Sequence, residues 1–303
     1  MKNKIIVIGS SNTDMVIMSD HLPQPGETVL GRNFLMNQGG KGANQAIAAA
    51  RLGGNTLFIC NIGNDQFGHD AKKIFQKEGI DTRYVNEIAD QHSGIALINV
   101  NSEGENTIVV APGANGTLSI DDIKKAENEI KKASIVLMQL ETPVEALVYA
   151  AEIAKENGVK VILNPAPAPS KALPDELLKN VDILIPNVTE AEIISKMKIN
   201  NKSSMNEAMQ KILSKGVSTV IITMGSDGAL AYEGGDLFQV PAYKVKAIDT
   251  TAAGDTFCGA LCVALDKGEK LKDAILFANK ASSISVTRMG AQVSIPYANE
   301  IKL

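Results

Sequence analysis

Apolar positions along the chain fall into two alternating patterns. Short, nearly continuous runs rich in valine and isoleucine occur at Ile5–Ile8, Thr56–Ile62, Ile135–Leu140, Val159–Leu163, Val181–Ile185 and Thr219–Thr223. Between them lie stretches of helical period at Ala43–Leu52, Ala71–Lys77, Ile120–Lys131, Val144–Glu156 and Glu207–Leu213. A strand that is apolar at successive residues has both faces buried. Such strands, separated by helices, form a parallel sheet covered on both sides. The pattern predicts an α/β fold with a mostly parallel sheet.

Two stretches break this rhythm. Met15–Gly40 holds a turn at Pro25-Gly26 and the short run Thr28–Leu30. Ser93–Ala114 reads as two strands, Ile95–Val100 and Thr107–Val110, around the turn residues Asn101–Gly104. Neither offers a helix long enough for a crossover between parallel strands. Both are expected to be β-structure projecting from the sheet as a lid; loops decorating the surface are the alternative. The sequence contains no internal repeat, low-complexity tract or interdomain linker.

Composition narrows the class. The 303 residues are 45% hydrophobic and 21% charged, the balance of an ordinary globular protein with a sizeable core. A net charge of −4 argues against nucleic-acid binding. Anionic ligands remain open, because local backbone amides bind them. The three cysteines, Cys60, Cys258 and Cys262, are odd in number and form no C-x-x-C pair, which suits a reducing compartment. Ile5–Ile8 is too short for a signal-peptide core, and no apolar run approaches the roughly 18 residues of a membrane helix. A soluble, cytoplasmic protein is expected.

The stretch Asp249-Thr-Thr-Ala-Ala-Gly254-Asp255-Thr-Phe-Cys-Gly-Ala-Leu261 carries the most chemistry. Phe257, Leu261, Ala264 and Leu265 recur at the spacing of a buried helical face, so Ala252, Ala253 and Gly254 sit where that helix begins. Small side chains there let an anion approach free backbone amides. Asp255 falls in the first turn, where the helix dipole favours a carboxylate. A base beside an anion hole suits phosphoryl transfer; the same Asp alone also suits a plain helix cap. Gly39-Gly-Lys-Gly-Ala-Asn-Gln45 opens a second helix, which stops at Gly53-Gly54. It is not a Walker A loop, since Gly42 follows Lys41, and the chain has no G-x-G-x-x-G dinucleotide fingerprint. Lys41 and Asn44 share a helix face and could bind the hydroxyls of a polyol. Alone, the stretch could equally be a glycine-rich turn.

These two stretches resemble the N- and C-terminal signatures of the ribokinase-type (PfkB) carbohydrate kinases, and the resemblance runs from Gly9 to the Gly290–Ser294 tail. It implies one three-layer, Rossmann-like α/β domain over residues 1–303, with lid segments at about 15–40 and 93–114. It also implies an ATP-dependent sugar kinase in which Asp255 takes the proton of the sugar hydroxyl and the amides around Ala252, Ala253 and Gly254 hold the phosphate. By the same resemblance Asn12, Asp14, Gly40, Lys41, Asn44 and Glu141 contact the sugar together with Asp255. Asn187, Thr223, Gly225, Ser226, Gly228, Gly254 and Asn279 contact the nucleotide. Asn187 and Glu190 match the motif that organises magnesium, although Asn-x-x-Glu is also a good capping box. Potassium is implied at Asp249, Thr251, Ser285, Arg288, Gly290 and Ser294. D-ribose, phosphorylated at O5, is the favoured acceptor; 2-deoxyribose, a hexose or a nucleoside is the alternative, and a non-catalytic sensor on the same fold is a further one. A homodimer through the lid is implied. Many family members have Gly where Ala252 stands and Asn where Cys258 stands. As the chain has no Trp, adenine is expected to rest on an aliphatic surface.

Overall fold

Runs of β-branched residues fit a pleated surface buried on both faces, and the computed structural model, which describes residues 4–302, arranges them in this way. The strands are β1 (Ile5–Ile8), β2 (Asn12–Met18), β3 (Asn33–Gly39), β4 (Thr56–Gly63), β5 (Asp81–Ile88), β6 (Gly94–Val100), β7 (Asn106–Ala111), β8 (Ile135–Met138), β9 (Lys160–Leu163), β10 (Ile183–Leu184), β11 (Thr219–Thr223), β12 (Ala229–Glu233) and β13 (Asp236–Val240). The helices are α1 (Lys41–Arg51), α2 (Gln66–Lys77), α3 (Ile120–Lys125), α4 (Glu127–Ile130), α5 (Val144–Glu156), α6 (Asp175–Leu178), α7 (Val188–Ser195), α8 (Lys202–Leu213), α9 (Ala253–Asp266) and α10 (Leu271–Ser285).

Nine strands form one sheet in the order β13-β12-β11-β10-β9-β8-β1-β4-β5. It is parallel from β11 to β5, with β12 and β13 added antiparallel at one edge. Alternate residues of β1 enter opposite core layers. Ile5 and Val7 pack towards α1, α2, α9 and α10 with Phe75, Leu261 and Ala278. Ile6 and Ile8 pack towards α3, α5 and α8 with Ile123, Leu147 and Met209. Helices therefore cover both faces, as the apolar pattern predicts.

The other four strands form a separate sheet, ordered β3-β2-β6-β7, whose β2–β6 pair is parallel. The residues Thr28–Leu30 lie in the loop between β2 and β3, and Leu30 is exposed. The helix expected at Ile120–Lys131 is interrupted at Ala126, giving α3 and α4. Strand β10 keeps two residues of the expected Val181–Ile185. Strands β5, β12 and β13 went unpredicted because polar and apolar residues mix along them.

One packing detail sets the site. A Cβ at Gly259 would lie 2.6 Å from Ala48 Cβ and 2.8 Å from the Gln45 carbonyl oxygen, so α9 approaches α1 at a distance only glycine permits. That approach brings the start of α1 beside the start of α9.

Candidate active site

Parallel sheets bind ligands beyond the carboxyl ends of their strands, where the strand order reverses. Here the reversal is at β1, which lies between β8 and β4. The segments leaving β1, β8, β9, β10 and β11 carry Ser10, Glu141, Asn164, Asn187 and Thr223, and the starts of α1 and α9 close over them.

Asp255 sits in the first turn of α9, buried, with each carboxylate oxygen held by a neutral amide. Asn44 Nδ2 donates to Oδ2 and Gln45 Nε2 donates to Oδ1, both at 2.9 Å. The amides of Gly254 and Asp255 make no hydrogen bond inside the helix, whereas that of Ala253 donates to the Thr250 carbonyl at 3.2 Å. Of the three residues expected to hold phosphate, Ala253 thus has its amide already engaged. A Cβ at Gly254 would meet no protein atom within 4 Å, and its φ is not in the left-handed region. Neither packing nor backbone demands glycine there; the space above it is cavity, which an anion can fill. Ala252, in contrast, takes φ 58°, a strained conformation for an alanine and one that glycine adopts freely.

Two cavities meet at this point. One of about 220 Å³ is lined by Lys41, Asn164, Asn187, Glu190, Gly254 and Asp255 among others. The second, of about 520 Å³, contains every expected nucleotide residue of the β11 turn, namely Thr223, Gly225, Ser226 and Gly228, together with Asn279. Thr223, Thr250, Ala253 and Gly254 line both. The larger cavity is mostly apolar, as a purine requires, but Tyr243 and Phe257 are in its wall. The expectation of an aliphatic surface is thus modified in one respect: two aromatic rings stand beside the aliphatic side chains of this wall. Asn279 donates to the carbonyls of Val240 and Pro241 at 3.2 and 3.1 Å, which fixes its carbonyl end for a ligand.

On the opposite side of Asp255 the polar side chains converge. Glu141 Oε2 accepts from Ser10 Oγ and, at 2.9 Å, from the Lys41 amide, replacing the side-chain cap that Gly40 cannot give α1. The Asp14 carboxyl is pushed up to about 7, first by burial and then by the charges of Glu141 and Asp255. Burial opposes the charge of Lys41, but Asp255, Glu141 and Glu190 outweigh it and hold the ammonium above its ordinary value. Asn12 Oδ1 accepts from Asn115 Nδ2 at 2.7 Å, which leaves the Asn12 amide hydrogens to donate. Asn44 Oδ1 is buried without a partner, an acceptor waiting for a hydroxyl. Donors, acceptors and one cation gathered here match a polyol; of the expected sugar residues, Lys41 and Asp255 also line the smaller cavity.

Asn187 and Glu190 form a reciprocal capping box, with both bonds at 2.8 Å. That spends Glu190 Oε2 and leaves Oε1 on the cavity wall, where burial raises the carboxyl above its ordinary value. One hard oxygen beside a phosphate cavity fits a hydrated magnesium ion shared with a nucleotide. Among the described residues no group of three or more His, Cys, Asp or Glu side chains could hold a metal alone. Asp249 ties its loop together: Oδ1 accepts from the Thr251 amide and hydroxyl at 2.9 and 2.6 Å, and Oδ2 from the Gly290 amide at 2.8 Å. Burial works against this carboxylate, yet these bonds hold it below the usual range. Ser285 and Ser294 turn their hydroxyls to the carbonyls of Ser282 and Ala291, and Arg288 pairs with Glu300.

Sequence reasoning missed Ser10, Gln45, Asn115, Gln139 and Asn164 as site residues. Gln45 and Gln139 lay within stretches already singled out, but nothing local distinguishes a buried amide that faces a site from one that faces the core.

A nucleotide-sized cavity adjoining a smaller polar one at the open amides of α9, beside a buried carboxylate and a cluster of polar side chains, fits a kinase of small carbohydrates. The model of the pfkB family of carbohydrate kinases matches residues 2–298, and the chain belongs to that family. It is 46% identical to a ribokinase of Staphylococcus aureus, covering 99% of each chain. It is 45% identical to a ribokinase of Haemophilus influenzae, covering 99% of this chain and 97% of that one. An Arabidopsis thaliana ribokinase solved with ribose and ATP has the same fold, with a TM-score of 0.92 at 32% identity over 99% of this chain and 98% of that one.

Proposed function

We propose that this chain transfers the γ-phosphoryl group of ATP to the 5-hydroxyl of D-ribose, giving ribose 5-phosphate and ADP. The observation that carries it is Asp255: a buried carboxylate in the first turn of α9, held by Asn44 and Gln45 and lining a cavity of about 220 Å³ that adjoins the larger one. The ribokinase relatives favour ribose as the acceptor. As the bond from O5 to the γ-phosphorus forms, the O5 proton passes to Asp255. The bond from that phosphorus to the bridging oxygen breaks, and its electron pair leaves with ADP. Charge on the transferring oxygens meets the amides of Gly254 and Asp255 and the start of α9. Asn12, Asp14, Gly40, Lys41, Asn44 and Glu141 hold the sugar, and the Thr223–Gly228 turn and Asn279 hold the nucleotide. Asn187 and Glu190 would hold a hydrated magnesium ion, which when bound neutralises phosphate charge.

Residues 1–303 act as one domain whose lid spans about 15–40 and 93–114. A potassium ion held by Asp249 with Thr251, Ser285, Arg288, Gly290 and Ser294 would order the loop that carries the phosphate amides. The depressed Asp249 carboxylate beside that loop supports it. Exposed apolar side chains on the lid support a lid-to-lid homodimer. A cytoplasmic place is part of this reading, supported by the three unpaired cysteines; among the described residues no helix is long and apolar enough to cross a membrane. The test is a panel of sugars with Mg·ATP, following ADP release in Na⁺, K⁺ and Cs⁺ at constant ionic strength. D-ribose should be the best acceptor and K⁺ the best cation. A better sugar overturns the acceptor, and equal rates in the three cations remove the ion.

A further inference from the structure

We propose that Gln45 and Gln139 are positioning residues for the base: a line of buried amides fixes the Asp255 carboxylate without neutralising it. The inference rests on reading Asp255 as the base. Both glutamines are fully buried. Gln45 Oε1 accepts from Gln139 Nε2 at 2.6 Å. The Gln45 amide group gives one hydrogen to Asn164 Oδ1 at 3.0 Å and the other to Asp255 Oδ1 at 2.9 Å. Asn164 is set in turn by donating to the Ile185 carbonyl at 2.9 Å. Every hydrogen-bonding group of Gln45 is used, and each in one sense only.

That sense is forced. Turning the Gln45 amide over would point its carbonyl at the Asp255 carboxylate and at Asn164 Oδ1, whose own sense is set by the Ile185 carbonyl. The carboxylate and Asn164 thus specify the donor, and Gln139 holds the carbonyl end of Gln45 in place. With Asn44 on the other oxygen, the plane of the carboxylate is fixed. Both donors are neutral, and Lys41 makes no hydrogen bond to Asp255, so the charge that must receive a proton is kept. Further lone pairs of the carboxylate stay open for the hydroxyl.

The cost of seating Gln139 points the same way. Its Oε1 is buried with no partner, and a Cβ at Gly9 would lie 2.1 Å from it. An apolar side chain of the same shape would fill this space without stranding an acceptor. The amide is worth its stranded oxygen only if its amine group matters, and that group reaches Gln45.

Gln45→Met and Gln139→Met keep length and volume and remove the donors. We expect kcat to fall about 10²-fold in Gln45→Met and about 10-fold in Gln139→Met, the scale of misplacing a reacting group. The sugar KM should stay within about threefold, because binding is not what is lost. The double variant should lose no more than Gln45→Met alone, since Gln139 acts only through Gln45. Asp255→Asn is assayed beside them. Normal turnover in Asp255→Asn would remove the base, and the positioning proposal with it. An inactive Asp255→Asn alongside wild-type kcat in both methionine variants would overturn the positioning proposal alone. Additive losses in the double variant would also overturn it, by showing two separate packing defects. Should Gln45→Met fail to fold, Gln139→Met decides: a loss of kcat at unchanged KM supports the proposal, and a lowered Tm at unchanged kcat overturns it.

Discussion

In the nine-stranded sheet every residue of β1, β4 and β8 is buried. In the four-stranded sheet β7 is exposed along its whole length, and Phe34, Met36, Leu97 and Val109 are more than half uncovered. Pleat and register make this more than scatter. Met36, Met15, Leu97 and Val109 lie opposite one another across β3, β2, β6 and β7, so they form one row on one face. Leu35, Val16, Ile98 and Ile108 form a row on the other face, the face that Asp14 shares. A sheet sandwiched between helices is complete within one chain and can hold a base and an anion hole rigidly. A sheet with apolar rows on both faces is left uncovered by this chain, which is what the proposed dimer would bury. The core sheet should therefore govern the chemistry, and the lid the choice of sugar and the assembly.

The sharpest way to break that division is at Asp255, which belongs to the core side. Asp255→Asn keeps shape and removes the proposed base. We expect kcat to fall by about 10²–10⁴, the usual worth of a general base, with sugar binding retained by calorimetry. A loss of binding instead of turnover would move Asp255 to the other side of the comparison. The lid should respond in assembly. Leu97→Asp places a charge in the middle of an apolar row, and we expect self-association to weaken by on the order of 10²–10³-fold in sedimentation velocity. A wild-type chain that is monomeric at micromolar concentration would remove the dimer.

Sugar choice tests the lid's inner face. Asn115 holds the Asn12 carbonyl, so the Asn12 amide hydrogens are left to donate, in the proposed reading to the sugar. If they read the 2-hydroxyl, Asn12→Met should cut kcat/KM for ribose by about 10² and for 2-deoxyribose far less. Equal losses would show that Asn12 does not read that hydroxyl. The smallest effect is electrostatic. The folded protein raises the Asp14 carboxyl from 3.8 to about 7, so the stability it contributes is full below about 3.8 and is lost as pH rises through about 7. Asp14→Asn removes that ionisation. Its Tm without ligand should exceed that of wild type by a margin that grows from about pH 4 to about pH 7 and then levels off, reaching on the order of 5–8 °C. A constant margin would mean that Asp14 does not carry the shift.

What could be read from the sequence follows the same division. The core strands announce themselves because a both-faces-buried strand is apolar at every residue, and the start of α9 because small residues precede a helical face. The lid's β2 and β3 were blurred by their loop, and Thr28–Leu30 drew attention that belonged to Asn33–Gly39. The cavity lining was legible where candidate residues concentrate in one segment, as at Gly254-Asp255. It was not legible where partners come from far apart: Gln45 and Asp255 are 210 positions apart and meet only because Gly259 lets two helices close. Tyr243 in the nucleotide cavity stands outside every motif.

The measurement closest to the central claim is the position of the transferred phosphate. The wild-type enzyme is incubated with D-ribose and Mg·ATP, and the product is examined by proton–phosphorus correlation NMR. A single new phosphorus signal coupled to the two protons on C5, absent with Asp255→Asn, is the predicted result. Coupling to a proton on another carbon, or the same product at an undiminished rate from Asp255→Asn, would contradict the account.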